Sequence, residues 1–572
     1  MKYTYIFYAF FIYALITSSI YIYTNTGISS DINTELELED YSNFDYEEWT
    51  KDMDENNTDI VPKGPAVAES FSINPLFAVE FLKRAGIPDL LKEALIEHTN
   101  SPNGQSLQDR PLIGRQFTRT NKKRITGWDF FYNQMSRGFF TKKSTSLNSY
   151  ININGASLIN RIQCCLEKVR DLFGNHPSLK IDAEKILNLF CDIKLQERQC
   201  GLFFSHAHSY RDFIARIKVP FYYFERNLYL DHQEREAIAE QFGQATPEET
   251  ARFRKLYFVS DKCGFGDLRI ELEKSLQLHH EGNAHIGIYS TIPTAFALHK
   301  GFLGSSFNKP STLPDLLLFE KLFEIVNESS TIGNPERKAL DIVKNFALDS
   351  AKRVAAALLD TELGNNGHLG IGLFGNTAHP LQTFISREWA APFTLINKVS
   401  AEYLFPAKEK RFFIRKKNPA DIQNHNFTNP DQNPVKATAD LRFIEQQVVN
   451  TFFMVAYDTW VQPGIIFHGN HRLCYQGNTW GGQLGIDNWL QTKGALGDAT
   501  IPQSCHTIPK TEIDFNKAKP FLAFRSNALA SFNYQIVKPT WILDISCGID
   551  GSLWSSGIGK DFTLLFKIES HY

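Results

Sequence analysis

From about Gly127 to its last residue the chain repeatedly alternates apolar and polar positions with a period of two. Phe213, Ala215, Ile217, Val219 and Phe221 alternate with Asp212, Arg216 and Lys218. Leu268, Ile270, Leu272 and Leu276 alternate with Asp267, Arg269, Glu271 and Glu273. Leu369, Ile371 and Leu373 alternate with His368, Gly370 and Gly372, and Trp541, Leu543, Ile545, Cys547 and Ile549 alternate with Thr540, Asp544 and Ser546. Side chains of a strand point alternately to its two faces, so each run predicts a strand with one greasy side. Weaker patterns lie near Ile286 to Ile292, Thr394 to Phe405, Arg411 to Arg415 and Phe521 to Ala530. The alternation rule gives about ten to fourteen strands.

The last twelve residues carry the pattern most clearly. Phe562, Leu564, Phe566, Ile568 and Tyr572 fall on one face, and Asp561, Thr563, Lys567, Glu569 and His571 on the other. Alternation of this kind fits two architectures. In a soluble sandwich the apolar faces pack on one another. In a membrane barrel they meet lipid, the polar faces line a lumen, and closure removes the exposed strand edges. Helical patterns interrupt the strands near 231–256, 314–359 and 437–453. The second has Leu340, Val343, Ala347, Val354 and Leu358 on one helical face, and Thr246-Pro247-Glu248-Glu249 is a helix start within the first.

An aromatic residue closing such an alternation resembles the C-terminal assembly signal of bacterial outer-membrane β-barrel proteins, porin-like in kind. The resemblance covers one strand closely and the rest of the chain as a pattern. It implies a mainly β, antiparallel transmembrane barrel with helical insertions, placed in the bacterial outer membrane. It also implies that Phe562, Phe566, Ile568 and Tyr572 are recognised by the membrane insertion machinery. The lipid bilayer is then the other expected partner, and the expected role is a channel, transport or structural surface protein. The alternative is a secreted or membrane-anchored soluble β-rich protein, an adhesin or a hydrolase.

The N-terminus bears on that choice. Met1-Lys2 precedes an apolar run to Ile16, the layout of a secretory signal, while Ile20 to Tyr23 extends the run far enough for a retained anchor. Residues 1–23 are therefore assigned to a signal peptide or uncleaved anchor. Residues 24–65 form an acidic spacer with little to bury. Residues 66–126 are a small helical and linker region, with Asn74-Pro75 and Pro88 as helix starts. Residues 127–572 make the barrel. Aromatic residues reach 13%, which suits strands and interfacial rings. The net charge of −3 gives no support to a nucleic-acid partner. A mean hydropathy of −0.27 is far too polar for a multi-span helical protein, but a barrel shows lipid only alternate residues.

Candidate chemistry is sparse. Gly370-Ile-Gly372-Leu-Phe-Gly375 matches a dinucleotide fingerprint, but it lies inside a strand pattern with no helix after it. Its glycines are better read as room for a packed helix or neighbouring backbone. His206 with His208, and His279, His280 and His285, lack a third metal ligand by spacing. None of the 8 cysteines forms a C-x-x-C pair. Asp267, Arg269, Glu271 and Glu273 share one strand face, where they are expected to line a lumen and bias which ions pass. Ser555-Ser556-Gly557 is expected to turn between the last two strands. No catalytic residues, cofactor or metal are expected.

Overall fold

The computed structural model describes residues 124–137, 194–229, 259–277, 283–300, 363–416, 453–504 and 507–572, with isolated residues 311, 313, 353 and 359. The assigned signal peptide, acidic spacer and helical linker lie outside the described residues up to Lys123. So do nearly all of the three expected helical insertions. Of those, Arg353 and Leu359 are described and are helical, and Phe453 lies in irregular structure.

Seventeen strands follow in chain order: β1 (Arg124–Arg137), β2 (Lys194–Tyr210), β3 (Phe213–Tyr229), β4 (Val259–Phe265), β5 (Leu268–Gln277), β6 (Asn283–Ile292), β7 (Phe296–Lys300), β8 (Gly370–Pro380) and β9 (Phe393–Leu404). Then come β10 (Ala407–Phe413), β11 (Val455–Gln462), β12 (Ile466–Gln476), β13 (Trp480–Gln491), β14 (Ala495–Thr500), β15 (Ala523–Val537), β16 (Ile542–Ser556) and β17 (Lys560–His571). One short helix, α1 (Phe515–Ala518), starts where the Asp514 carboxylate accepts from the Asn516 and Lys517 amides.

Twelve of these strands close into an antiparallel ring, in the order β1, β2, β3, β5, β6, β8, β9, β12, β13, β15, β16, β17. The seam is β1 against β17, in register from Ile125–His571 to Gln134–Phe562. It ends with Arg124 and Tyr572 exchanging both backbone hydrogen bonds at 3.0 Å. Every ring strand thus has two partners, and the ring has no free edge.

The alternation places polar side chains inward and apolar ones outward. On β17, Asp561, Thr563, Lys567 and His571 are buried inside, while Phe562, Leu564 and Phe566 are exposed outside. On β5, Arg269, Glu271 and Glu273 are buried and Ile270, Leu272 and Leu276 exposed. Successive cross-strand neighbours Phe221, Leu202, Phe130, Phe566, Cys547 and Phe532 carry an apolar row round half the ring. Soluble monomers rarely expose apolar patches beyond a few hundred Å². Among the described residues no second layer covers this belt.

Three ring strands run past one mouth into a second sheet. β9 leads to β10 across Phe405-Pro406, β11 to β12 across Pro463-Gly464-Ile465, and β13 to β14 across Thr492-Lys493-Gly494. The second sheet has the order β10, β11, β14. Its core is Phe413, Val455, Tyr457, Ile508, Ile513 and Ala518. The Ile508 amide donates to the buried Tyr457 hydroxyl at 2.8 Å, and burial raises that phenol above its usual range. β4 and β5 likewise form one strand broken at Gly266-Asp267, with β4 pairing the far half of β3 and the short β7.

The two mouths differ. One carries the ends of the seam, Arg124 and Tyr572, and short turns such as Arg211-Asp212, 477–479 and 538–541. The other carries the connections 138–193, 230–258, 301–369, 414–454 and 501–522. Its one tight turn is Gly557 to Gly559 between β16 and β17, with Gly557 at φ +73; of the expected turn residues Ser555-Ser556-Gly557, the two serines end β16 instead.

Candidate functional site in the barrel interior

The inward faces build an interior of apolar layers and polar networks. Phe131, Phe203, Tyr222 and Phe224 point inward from β1, β2 and β3 and pack together with Leu363. The Phe131 ring lies 5.0 Å from Phe203 and 6.3 Å from Tyr222. Leu363 belongs to no strand. It begins a tight segment, 363–368, that folds into the ring. Gly364 (φ +83), Asn366 (φ +52) and Gly367 (φ +85) turn the chain through left-handed conformations.

Asp267 anchors this segment. Its carboxylate accepts the Asn365 amide at 2.5 Å and the Ala295 amide at 3.1 Å. The Gly364 amide donates to Tyr222 Oη at 3.1 Å. His368 Nδ1 donates to the Phe405 carbonyl at 2.8 Å, which assigns the proton to that nitrogen. Asp267 is 1% exposed. The sequence grouped it with the lumen charges, but its contacts are with backbone amides.

Below lies an ion-pair ladder set by antiparallel register. Arg216 and Lys218 on β3 face Glu271 and Arg269 on β5. Glu271 accepts from Lys218 Nζ at 2.7 Å and from Arg216 at 3.1 Å, and it is ion-paired with Arg269, whose Nε lies 2.9 Å away. Glu273 lies 3.9 Å from Arg216. The guanidinium of Arg269 stands 3.7 Å from the centre of the Tyr289 ring, a close cation–π contact. That ring occupies the space over Gly372, where a Cβ would approach Tyr289 Cζ to 2.2 Å. Gly370 and Gly372 of the fingerprint-like motif thus make room for side chains of the neighbouring strands, not for a helix or backbone. The four residues expected to line the lumen share its wall, three of them in paired, buried charges.

Other buried networks fill the remaining wall. Arg226 donates to Glu197 at 2.7 Å, and Arg525 to Asp561 at 2.7 Å. Asn133 donates to Asp561 and Thr563, and His468 and Asn470 contact Asp487. Arg226–Glu197 and His468–Asp487 pair across adjacent strands, whereas Asn133 meets Asp561 and Thr563 across the seam from more than 400 positions away.

The terminal-strand residues Phe562, Phe566, Ile568 and Tyr572 all point outward. Tyr572 Oη lies 3.0 Å from Thr126 Oγ1 of β1. Exposed aromatics gather near both mouths: Tyr210, Trp389, Trp480, Tyr534, Trp541 and Tyr572 at one, Tyr403, Phe405, Trp554 and Phe562 at the other. Strand rise and a tilt near 40° put Phe562 and Tyr572 about 25 Å apart along the barrel axis. Phe130 and Phe566 lie between the two levels.

His206 and His208 face outward, with His206 Nδ1 3.0 Å from Thr126 Oγ1, while His279 and His280 lie outside the described residues. Sequence reasoning missed Leu363, Tyr222 and His368, which meet only because loop and strands fold together. It also missed the convergence of Asp544, Glu569 and His571, the one trio of metal-ligating side chains found among the described residues. Their shared signal was a place on the polar faces of the last two strands.

No protein-family model matches the chain, and no curated protein matches it. Among solved structures, an outer membrane channel from Pseudomonas putida F1 aligns at 8% identity and a TM-score of 0.37, over 81% of this chain and 100% of that one. The transport unit of the autotransporter AIDA-I from Escherichia coli aligns at 5% identity and 0.29, over 82% and 95%. The toluene transporter TodX from Pseudomonas putida aligns at 8% and 0.26, over 79% and 89%.

Proposed function

We propose that this chain is an integral outer-membrane β-barrel protein of the channel or transport kind, closed at rest by its own interior. One observation carries the reading: a ring without free edges whose apolar side faces out and whose charged side faces in. Hydrocarbon tolerates a spanning sheet only when every backbone group is paired, which the β1–β17 seam provides. The outward belt between two aromatic levels fits a bilayer core.

Short turns at one mouth and long connections at the other fit the periplasmic and extracellular ends of such barrels. The helical patterns at 231–256, 314–359 and 437–453 all fall in connections that leave the ring at the long-connection mouth. The 363–368 segment, packed on Phe131 and Tyr222 and tied to Asp267, serves as the plug. No catalytic residue is assigned.

The test has two stages. Full-length protein in bacterial membranes is extracted with carbonate and run on gels with and without boiling. Retention in the membrane and a heat-dependent shift are expected; release into the carbonate wash sinks the membrane assignment. Purified protein is then placed in planar bilayers beside Asp267→Ala. Little conductance is expected from the wild type and a higher conductance from the variant. Silence from both removes the channel role and leaves a structural surface barrel.

A further inference from the structure

We propose that Asp544, Glu569 and His571 form a divalent transition-metal site inside the barrel, at the mouth that carries the seam ends. It takes zinc or manganese through two carboxylate oxygens and one imidazole nitrogen. The proposal stands whether or not the lumen conducts.

The geometry follows from register. Glu569 and His571, two apart on β17, share its inward face. β16 sets Asp544 opposite Glu569 on one side, and β1 sets Gly127 opposite it on the other. His571 Nε2 lies 3.0 Å from Glu569 Oε1 and 3.1 Å from Asp544 Oδ2. A ligand atom from each of the three lies within 4.8 Å of the others. Tetrahedral zinc with bonds of about 2.1 Å holds its ligands about 3.4 Å apart. The two measured gaps need to open by only about 0.3 to 0.4 Å to meet that spacing.

Hydrogen bonding supplies an independent pointer. Asp544 is 3% exposed and His571 2% exposed. Yet no hydrogen bond of regular geometry reaches either oxygen of Asp544 or either ring nitrogen of His571, although Nε2 lies within ion-pairing distance of both carboxylates. Buried polar atoms are nearly always satisfied, and the exceptions call for an unplaced water or ion. The imidazole nitrogen sits almost equally far from two carboxylate oxygens and is aligned with neither. A cation between the three atoms satisfies them together.

The surroundings suit an ion. Lys567 pairs with the other oxygen of Glu569, Oε2, and so orients the carboxylate with Oε1 toward the gap. The two carboxylates balance a divalent charge when the imidazole is neutral. An imidazole ligand disfavours calcium and magnesium, and the lack of a thiolate disfavours copper(I). The rival arrangement is a protonated His571 bridging the two carboxylates with no metal.

Full-length protein in detergent, stripped with chelator, is titrated with zinc chloride and then manganese chloride, and bound metal is counted. One zinc per chain is expected. Asp544→Asn and His571→Gln should each weaken binding more than about 100-fold, beyond the usual cost of losing an outer-shell partner. Lys567→Met, which alters only the orientation of Glu569, should weaken it about tenfold. Less than one zinc or manganese per wild-type chain overturns the site and leaves the imidazolium bridge. Undiminished zinc binding in a heat-modifiable His571→Gln protein also overturns it, because the ion is then elsewhere. If neither variant folds, zinc-edge X-ray absorption on the wild type decides: one imidazole with carboxylate oxygens supports the site, and a shell without imidazole overturns it.

Discussion

Arg226 is 1% exposed and points into the ring, where Glu197 from the neighbouring strand takes two of its donors. Removing one charge leaves the other buried without its partner, which costs about 3–5 kcal/mol, whereas replacing both can be nearly neutral. Arg226→Met should therefore lower unfolding stability in detergent by about that amount, and adding Glu197→Gln should recover most of it. Urea titrations of the three proteins check this; a double variant as weak as the single one contradicts it. Residues of this kind were only half legible. The alternation put Arg269, Glu271 and Glu273 on one polar face. It did not reveal that Arg216, Lys218 and Tyr289 would meet them, because pairing depends on which strands become neighbours and in what register. Asp267 sits on the same face by period, yet it caps backbone amides because β4 and β5 break at that point.

Among the strands, those with one uniformly apolar side were visible: β3, β5, β8, β16 and β17. β12 and β13 were not, and their outer faces show why. β12 carries Gly469 and His471 outward, with His471 bonded to Asn397 of β9. β13 carries Gly482 outward. Such positions break the period without breaking the ladder, since backbone pairing to both neighbours continues through them. Apart from Arg353, Leu359 and Phe453, the expected helices fall outside the described residues and stay as sequence readings. Two outcomes belong to this scale. Leu484, 64% exposed in the middle of β13, faces the proposed hydrocarbon. Leu484→Arg should cost about 2–4 kcal/mol in bilayer-folded protein, measured by urea unfolding in vesicles, and a change near zero would contradict lipid contact. Deleting Tyr572 removes the paired backbone bonds to Arg124 and the Thr126 contact. It should reduce the heat-modifiable membrane form while export across the inner membrane continues; an unchanged yield of that form contradicts a role in assembly.

At the scale of the whole molecule the number of strands and the closure came from different sources. The pattern suggested about ten to fourteen strands, and twelve are found in the ring. Closure itself was not written in any one segment, because it is a contact between residues more than 400 positions apart. The unequal mouths predict an orientation. Lys510 is exposed beside the second sheet, and Asn478 is exposed in the turn between β12 and β13 at the opposite mouth. In a chain stripped of its native cysteines, Lys510→Cys should react with an impermeant maleimide on intact cells, and Asn478→Cys only after lysis. The reverse pattern would invert the assignment. The β1–β17 seam has a further consequence. β17 alone bridges β1 and β16, so a ring lacking it would keep two raw borders, on those two strands. Such a ring cannot seal, because both borders expose unpaired backbone groups to hydrocarbon.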